Sequence, residues 1–167
     1  MFLAFDTYYY DNKAKTVCIK FNNWTDNEPS ETYIEVLEGV AEYVPGEFFR
    51  REMPCILSLL KTIQLENLEA IIVDGFVVLD DNNKLGLGGH LYESLNAQYP
   101  IIGVAKSNFA QIEKNKRAVF RGESQKPLYV TAIGTDIDEA AENVKNMSGK
   151  FRFPDLLKLL DTLTKEK

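Results

Sequence analysis

The chain has 167 residues, 45% apolar and 26% charged, which is enough to bury one substantial core and short for two, so a single domain over residues 1–167 is expected. A formal charge of −6 disfavours indiscriminate binding to nucleic acid but leaves room for a local basic site. No apolar run approaches the roughly 20 residues that span a bilayer, there is no low-complexity tract, and MFLAFDTYYYD lacks a basic n-region, so a globular cytoplasmic protein is expected.

Phe2 to Phe5 form an apolar run that leads to Asp6 and then to Tyr8, Tyr9 and Tyr10. An Asp11-Asn12 turn separates this run from a second, Thr16 to Phe21, which predicts an antiparallel hairpin. Asp6 is thus a carboxylate in an apolar and aromatic strand, a setting where such a group is seldom buried without a partner or a cation. Cys18 and Cys55 lie in apolar surroundings without metal-ligand spacing and read as inert core thiols. Thr32 to Val40 is strand-like or mixed, and Tyr43-Val44-Pro45-Gly46 is a turn. Glu47 to Thr62 reads as a helix with Phe49, Met53, Ile56, Leu57 and Leu60 on one face; Glu52 sits beside that face, and Pro54 is expected to kink or restart the helix.

Ala70 to Val73 is a short apolar run that ends abruptly in Asp74-Gly75, the pattern of a strand buried on both faces. A helix from Leu87 to Gln98 and a second apolar strand, Ile101 to Ala105, complete a right-handed βαβ unit with parallel strands, so Asp74 and Lys106 are expected at one sheet edge, where open α/β sheets bind ligands. Asn108 to Arg121 is loosely helical or irregular, and Leu128 to Ile133 is a strand. Asp138 to Met147 is a helix with Asp136 or Asp138 as its N-cap, and Pro154 to Thr164 is another. The fold class is α/β. Basic residues gather at Arg50-Arg51, at Lys114, Lys116, Arg117 and Arg121, and at Lys145, Lys150 and Arg152; as charge runs alone they read as solvated faces.

Asp6, Glu52 and Asp74 carry the chemistry. Residues this far apart can meet only through the fold, and three convergent carboxylates make an oxygen-rich site suited to Mg²⁺ or Mn²⁺ and to phosphoryl chemistry. By composition and spacing alone, separate surface carboxylates are the competing reading.

The motifs around these residues carry a resemblance. Tyr43-Val44-Pro45-Gly46 with Arg51-Glu52-Met53-Pro54 is similar to the YIPG…RExP block of the endonuclease V family, the deoxyinosine 3′ endonucleases. Val73-Asp74-Gly75 resembles its VDGHG, and Gly86-Leu87 with His90-Leu91 its FGLAxHLG. Pro100 to Lys106 resembles PTIGVAK, Phe5 to Tyr9 resembles GVDVSY, and Lys126 to Thr131 resembles KPVYVS. The resemblance implies an RNase H-like fold, with a mixed central sheet flanked by helices, and a metal-dependent endonuclease, favoured as a monomer, that cuts DNA or RNA near inosine. It makes Asp6, Glu52 and Asp74 the Mg²⁺ (or Mn²⁺) ligands and Lys106 the basic residue at the scissile phosphate. Tyr43, Pro45 and Gly46 become a wedge that enters at the lesion, with Gly75 and Arg51 also against nucleic acid.

Three departures shape these expectations. VDGHG stands here as Val73-Asp74-Gly75-Phe76-Val77, and Val77 in place of glycine is expected to narrow the base pocket and alter the preference for inosine. The family's HPRR stands as Asp80-Asp81-Asn82-Asn83. Its SPGHRIS, with a histidine that assists the metal, stands as Thr131 to Asp138, with Thr135 or Asp136 nearest, so Asp136 is expected as a further metal ligand. His90, the sole histidine, reads as a packed helical residue. Two other classes stay in view: an inactive nucleic-acid-binding relative, and a metal-dependent phosphoesterase acting on a small molecule.

Overall fold

The computed structural model describes residues 1–39, 49–109 and 111–166. β1 (Phe2–Tyr10) turns at Asp11 and Asn12, both in left-handed conformation with φ of 46° and 59°, and returns as β2 (Lys13–Phe21). A two-residue turn of that hand matches the right-handed twist of a hairpin, so β2 starts earlier than Thr16 and pairs with β1 along its whole length. β3 (Glu31–Glu38) adds to the outer side of β2, which settles the ambiguous segment as a strand.

The described part of α1 (Phe49–Leu60) runs on through Pro54. β4 (Ala70–Asp74) then lies parallel to β1, α2 (Leu87–Ser94) crosses over, and β5 (Ile101–Ala105) lies parallel to β4, as the βαβ reading required. α2 stops short of Gln98 because Asn96 and Ala97 both take φ of 57°. Among the described residues the segment after Lys106 is irregular rather than helical and also contains β6 (Arg117–Val119), which pairs with β7 (Leu128–Ile133). α3 (Ile137–Lys145) and α4 (Asp155–Lys165) follow, and Asp136 caps α3 by accepting the Glu139 N–H at 2.9 Å. Among the described residues the strands form one mixed sheet in the order β3-β2-β1-β4-β5-β7-β6.

Alternation along the strands separates two apolar layers. Ala4, Val17, Ile72, Val104 and Val130 face α3 and α4, where they meet Ala140, Val144, Leu156 and Leu160. Leu3, Phe5, Cys18, Ile71 and Val73 face α1 and α2, where they meet Ile56, Leu59, Leu87 and Leu91. Cys18 and Cys55 are free and buried, and burial pushes both thiols up, in keeping with inert core residues. No helix among the described residues is long and apolar enough to cross a membrane.

Two arginines fix the chain between α3 and α4. Arg121 is 5% exposed and donates to the carbonyls of Lys145, Met147, Gly149, Phe151 and Arg152, the shortest at 2.6 Å. Arg152 donates to the carbonyls of Lys126 at 3.0 Å, of Pro127 at 2.8 Å and of Lys106. The loop that delivers α4 is thereby tied to the start of β7 and the end of β5.

Gly103, in the centre of β5, shows how tightly the sheet is held under the chain that leaves β4. A Cβ there would meet the Gly75 carbonyl oxygen, lie 2.7 Å from Thr131 Oγ1 and lie 3.1 Å from Val77 N. Thr131 Oγ1 accepts the Val77 N–H at 2.9 Å, so the added methyl would fall on an existing hydrogen bond. Gly103→Ala is expected to destabilise the protein by about 1–3 kcal/mol, lowering Tm by roughly 2–4 °C for each of these, and thermal unfolding of the purified variant reads this directly.

Candidate active site

The register of three strands builds the site. Phe5 is level with Val73 and Asp74 with Val104, so β1, β4 and β5 pass the same line with Asp6, Asp74 and Lys106 just at or beyond it. Alternation from Ala4, Ile72 and Val104 places all three on the face covered by α4. Asp74 and Lys106 share one sheet edge, as the βαβ geometry implied. Glu52 comes from the opposite face, from the first described turns of α1.

These acids are desolvated. Asp6 is 8% exposed and Glu52 2% exposed, and Asp74 is half-buried. Burial, and next the charge of Asp74, push the Asp6 carboxyl up to about 7, against the Thr7 N–H that it accepts at 2.9 Å. Burial first, then Asp74 and Asp6, hold Glu52 well above the usual carboxylate range. Asp74 is raised by burial, with Lys106 opposing. Among the described residues no three acidic, histidine or cysteine side chains form a ready-made metal-binding group.

A fourth acid joins them from α4. Asp161 Oδ1 lies 3.5 Å from Lys106 Nζ, its Oδ2 lies 3.2 Å from Lys165 Nζ, and its charge is felt by both Asp6 and Asp74. The Lys106 ammonium also lies 4.6 Å from the centroid of Phe153, and a small cleft here is lined by Asp6, Asp74, Lys106, Phe153 and Leu157. The sequence does not single out Asp161, because an acid in FPDLLKLLDTL has the local pattern of a solvated face. The available signal was its spacing, four residues after Leu157 and three before Thr164, both buried.

Asp136 does not belong to this site. β7 runs antiparallel to β5, with Ala105 level with Tyr129 and Ile101 level with Ile133, so the chain leaving β7 emerges at the opposite edge. There Asp136 is occupied as the N-cap of α3. The further carboxylate beside Lys106, Asp6 and Asp74 is Asp161, on α4.

Val77 also corrects an expectation. Its side chain is fully buried in the layer beneath α2, against Gly88, where an added Cβ would lie 2.7 Å from Val77 Cγ2. Val77 therefore fills core and does not narrow an opening at the edge. Phe76 stands there instead, half-buried, with its ring 5.9 Å from that of Phe109. Gly75, at φ 127°, takes a conformation open to glycine and strained for other residues.

Arg51 lies over the Tyr9 ring, 3.6 Å from its centroid, with Nε buried and without a hydrogen-bond partner. It is a packed residue at the start of α1, one position before Glu52. His90 stacks on Phe49 at 3.7 Å and bridges α2 to α1, consistent with its reading as a packed residue. Tyr43, Pro45 and Gly46 lie outside the described residues.

The donor set fits a hard divalent cation. Asp6, Glu52 and Asp74 offer only oxygen, they are poor in counter-charge, and their protonation is raised by burial and by neighbouring acids in the way a bound cation would reverse. Asp161 is the adjoining carboxylate of the same set.

Comparison with known proteins identifies the family. The family model for endonuclease V matches residues 2–162. Endonuclease V of Nostoc punctiforme is 26% identical over 94% of this chain and 78% of its own length, and that of Trichormus variabilis is 26% identical over 92% and 76%. Among solved structures, Ciona intestinalis endonuclease V, in complex with a 24mer DNA containing an inosine followed by a ribo-adenosine, superposes with a TM-score of 0.81 at 18% identity, covering 98% of this chain and 84% of that one. Streptomyces avermitilis endonuclease V gives a TM-score of 0.74 at 22% identity, covering 98% and 78%. The fold is RNase H-like, and the chain belongs to the endonuclease V family.

Proposed function

We propose that the protein is a metal-dependent endonuclease that hydrolyses a phosphodiester near a deaminated base, inosine, in DNA or RNA. The observation that carries this reading is that three desolvated acids from separate elements, Asp6, Glu52 and Asp74, feel one another's charge, with Lys106 acting on Asp6 and Asp74. Those three carboxylates would hold Mg²⁺ or Mn²⁺, with Asp161 beside them as a further oxygen donor. A bound divalent ion supplies Lewis acidity toward the phosphate and an activated water.

The chain's own residues do the rest. Lys106 offers a cation at the rim, and its ion pair with Asp161 keeps that cation at the edge until a phosphate competes for it. The apolar floor of Val73, Val104, Phe153 and Leu157 limits water and so strengthens charge interactions above it. Phe76 and Phe109 present aromatic surface beside Gly75, where a displaced base can stack, and the change from histidine to Phe76 supports a shifted base preference.

Cleavage of end-labelled single- and double-stranded DNA and RNA, with and without one inosine, tests the reading. Asp74→Asn is expected to lower Mg²⁺-dependent cutting by about 10³-fold or more and Lys106→Ala by about 10²-fold, whereas Asp136→Asn, which keeps a capping side chain, leaves cutting unchanged. Wild-type rates in Asp74→Asn would reject the mechanism.

The raised acids also set a pH dependence. A carboxyl whose folded pKa exceeds its unfolded value binds more protons folded than unfolded, so stability falls as pH rises from the unfolded value near 4 toward the folded value near 7. In chelator, Tm is expected to drop over that interval, by about 1–3 kcal/mol of stability for Asp6. Added Mg²⁺ is expected to raise Tm more at pH 8 than at pH 5.5, and Glu52→Gln to raise the chelated Tm while abolishing the Mg²⁺ response. A flat metal-free profile would contradict the assignment of these acids.

A further inference from the structure

β1 does not stop at the catalytic edge. It is level with β4 only from Phe2 to Phe5, while its far half, with β2 and β3, continues as a three-stranded antiparallel extension. Tyr8 and Tyr10 follow Asp6 at two-residue intervals and so share its face. Their rings lie 6.2 Å apart at 21°, and they are 40% and 37% exposed. Across the extension on the same face, Tyr8 is level with Lys15 and Lys15 with Val36, and Tyr10 is level with Lys13.

This face is unusual in composition. Among the described residues, four of the six large apolar side chains that are exposed lie on it: Tyr8, Tyr10, Ile34 and Val36. Cations are interleaved with them. Lys15 donates to the Glu166 carbonyl, Lys165 at the end of α4 lies within the influence of Tyr8 and Asp6, and Lys13 is 3.6 Å from Glu38. Aromatic rings alternating with ammonium groups, on a chain of net charge −6, suit bases and phosphates better than a purely apolar partner. The strip is also continuous with the site, since it begins two residues beyond Asp6 on the same strand.

We propose that Tyr8 and Tyr10, with Lys13, Lys15 and Lys165, form a stacking track for single-stranded nucleic acid, holding the nucleotides that run away from the cleaved phosphodiester on the β1 side. The track deepens the endonuclease reading and rests on it for the position of the cut. Bases lie against the tyrosine rings without sequence choice, and the lysines meet the backbone.

The test uses the full chain and single-stranded, inosine-containing DNA oligonucleotides, fluorescein-labelled and shortened stepwise on either side of the inosine. Binding is read by anisotropy in the Asp74→Asn background and cleavage in the unmodified active site. Tyr8→Ala with Tyr10→Ala is expected to weaken binding by about 10-fold or more on oligonucleotides long on one side only, with the loss in cleavage falling on KM more than on kcat. Tyr8→Phe with Tyr10→Phe, which keeps the rings, is expected to restore both, and trimming the strand on that side to erase the difference. Lys13→Ala with Lys15→Ala is expected to make binding less dependent on salt. Equal affinities of the alanine pair and the parent at every length would overturn the track. So would a change in sedimentation instead of in oligonucleotide binding, which would make the face a contact between copies of the chain. Failure of the unmodified protein to cut any oligonucleotide would refute the endonuclease reading alone, because the anisotropy comparison still decides the track.

Discussion

Like charges held out of water govern this structure. Asp6 and Glu52 are almost wholly buried, Asp74 is half-buried, and each is disfavoured as an anion by its surroundings and by other acids nearby. Nothing in the local sequence would choose that arrangement. It persists because the strands that carry Asp6 and Asp74 are clamped on both faces by apolar layers, and because α1 is packed on one of those layers through Ile56, Leu59 and Leu60. The core over-determines the position of the strand ends, so the acids must accept a place they would not occupy by themselves. A site of this kind is a store of unfavourable electrostatics that a cation can release, which is the usual relation between stability and function at such edges.

Much of this was open to reading from the chain. The abrupt passage from Ile71-Ile72-Val73 to Asp74-Gly75, and from Val104-Ala105 to Lys106, marks strand ends, and the handedness of the crossover places them together. Asp6 was visible as a lone acid in an apolar strand, and Glu52 as an acid beside a helical apolar stripe. What the sequence concealed was direction. A strand between two turns carries no local mark of whether it runs up or down beside its neighbour, and β7 runs down. That one orientation sends Asp136 to the far edge, away from Asp6, Asp74 and Lys106. Asp161 was hidden for a second reason: on a helix an acid at the border of the apolar stripe has the same local pattern whether it faces solvent or a partner, and only the contact with Lys106 separates the two. Val77 was expected at the pocket because it stands where the family motif has glycine; beyond Gly75, at φ 127°, its side chain instead enters the core.

The substitutions relative to the family pattern fall on a different part of the edge from the acids. Phe76 and Phe109 stand beside Gly75, and the loop that bears Phe76 is knitted to the loop beyond Phe109: Asp81 accepts the backbone N–H groups of Glu113, Lys114 and Asn115. In the acidic and amide segment Asp80-Asp81-Asn82-Asn83, Asp81 receives these N–H groups and Asn83 accepts from the Asn115 side chain. In this chain Asp81 thus fixes the loop after Phe76 against the one beyond Phe109.

Arg121 gives the site an anchor of a different kind. Its guanidinium is surrounded by carbonyl oxygens alone, so the loop before α4 is held by dipoles on one side and by a group that never loses its proton on the other. Acidification that neutralises Asp6, Glu52 and Asp74 leaves that tie untouched. The loop that delivers α4 is thus held by a tie that does not depend on the charge state of these acids, whereas α4 itself shares in that charge through the Asp161–Lys106 pair.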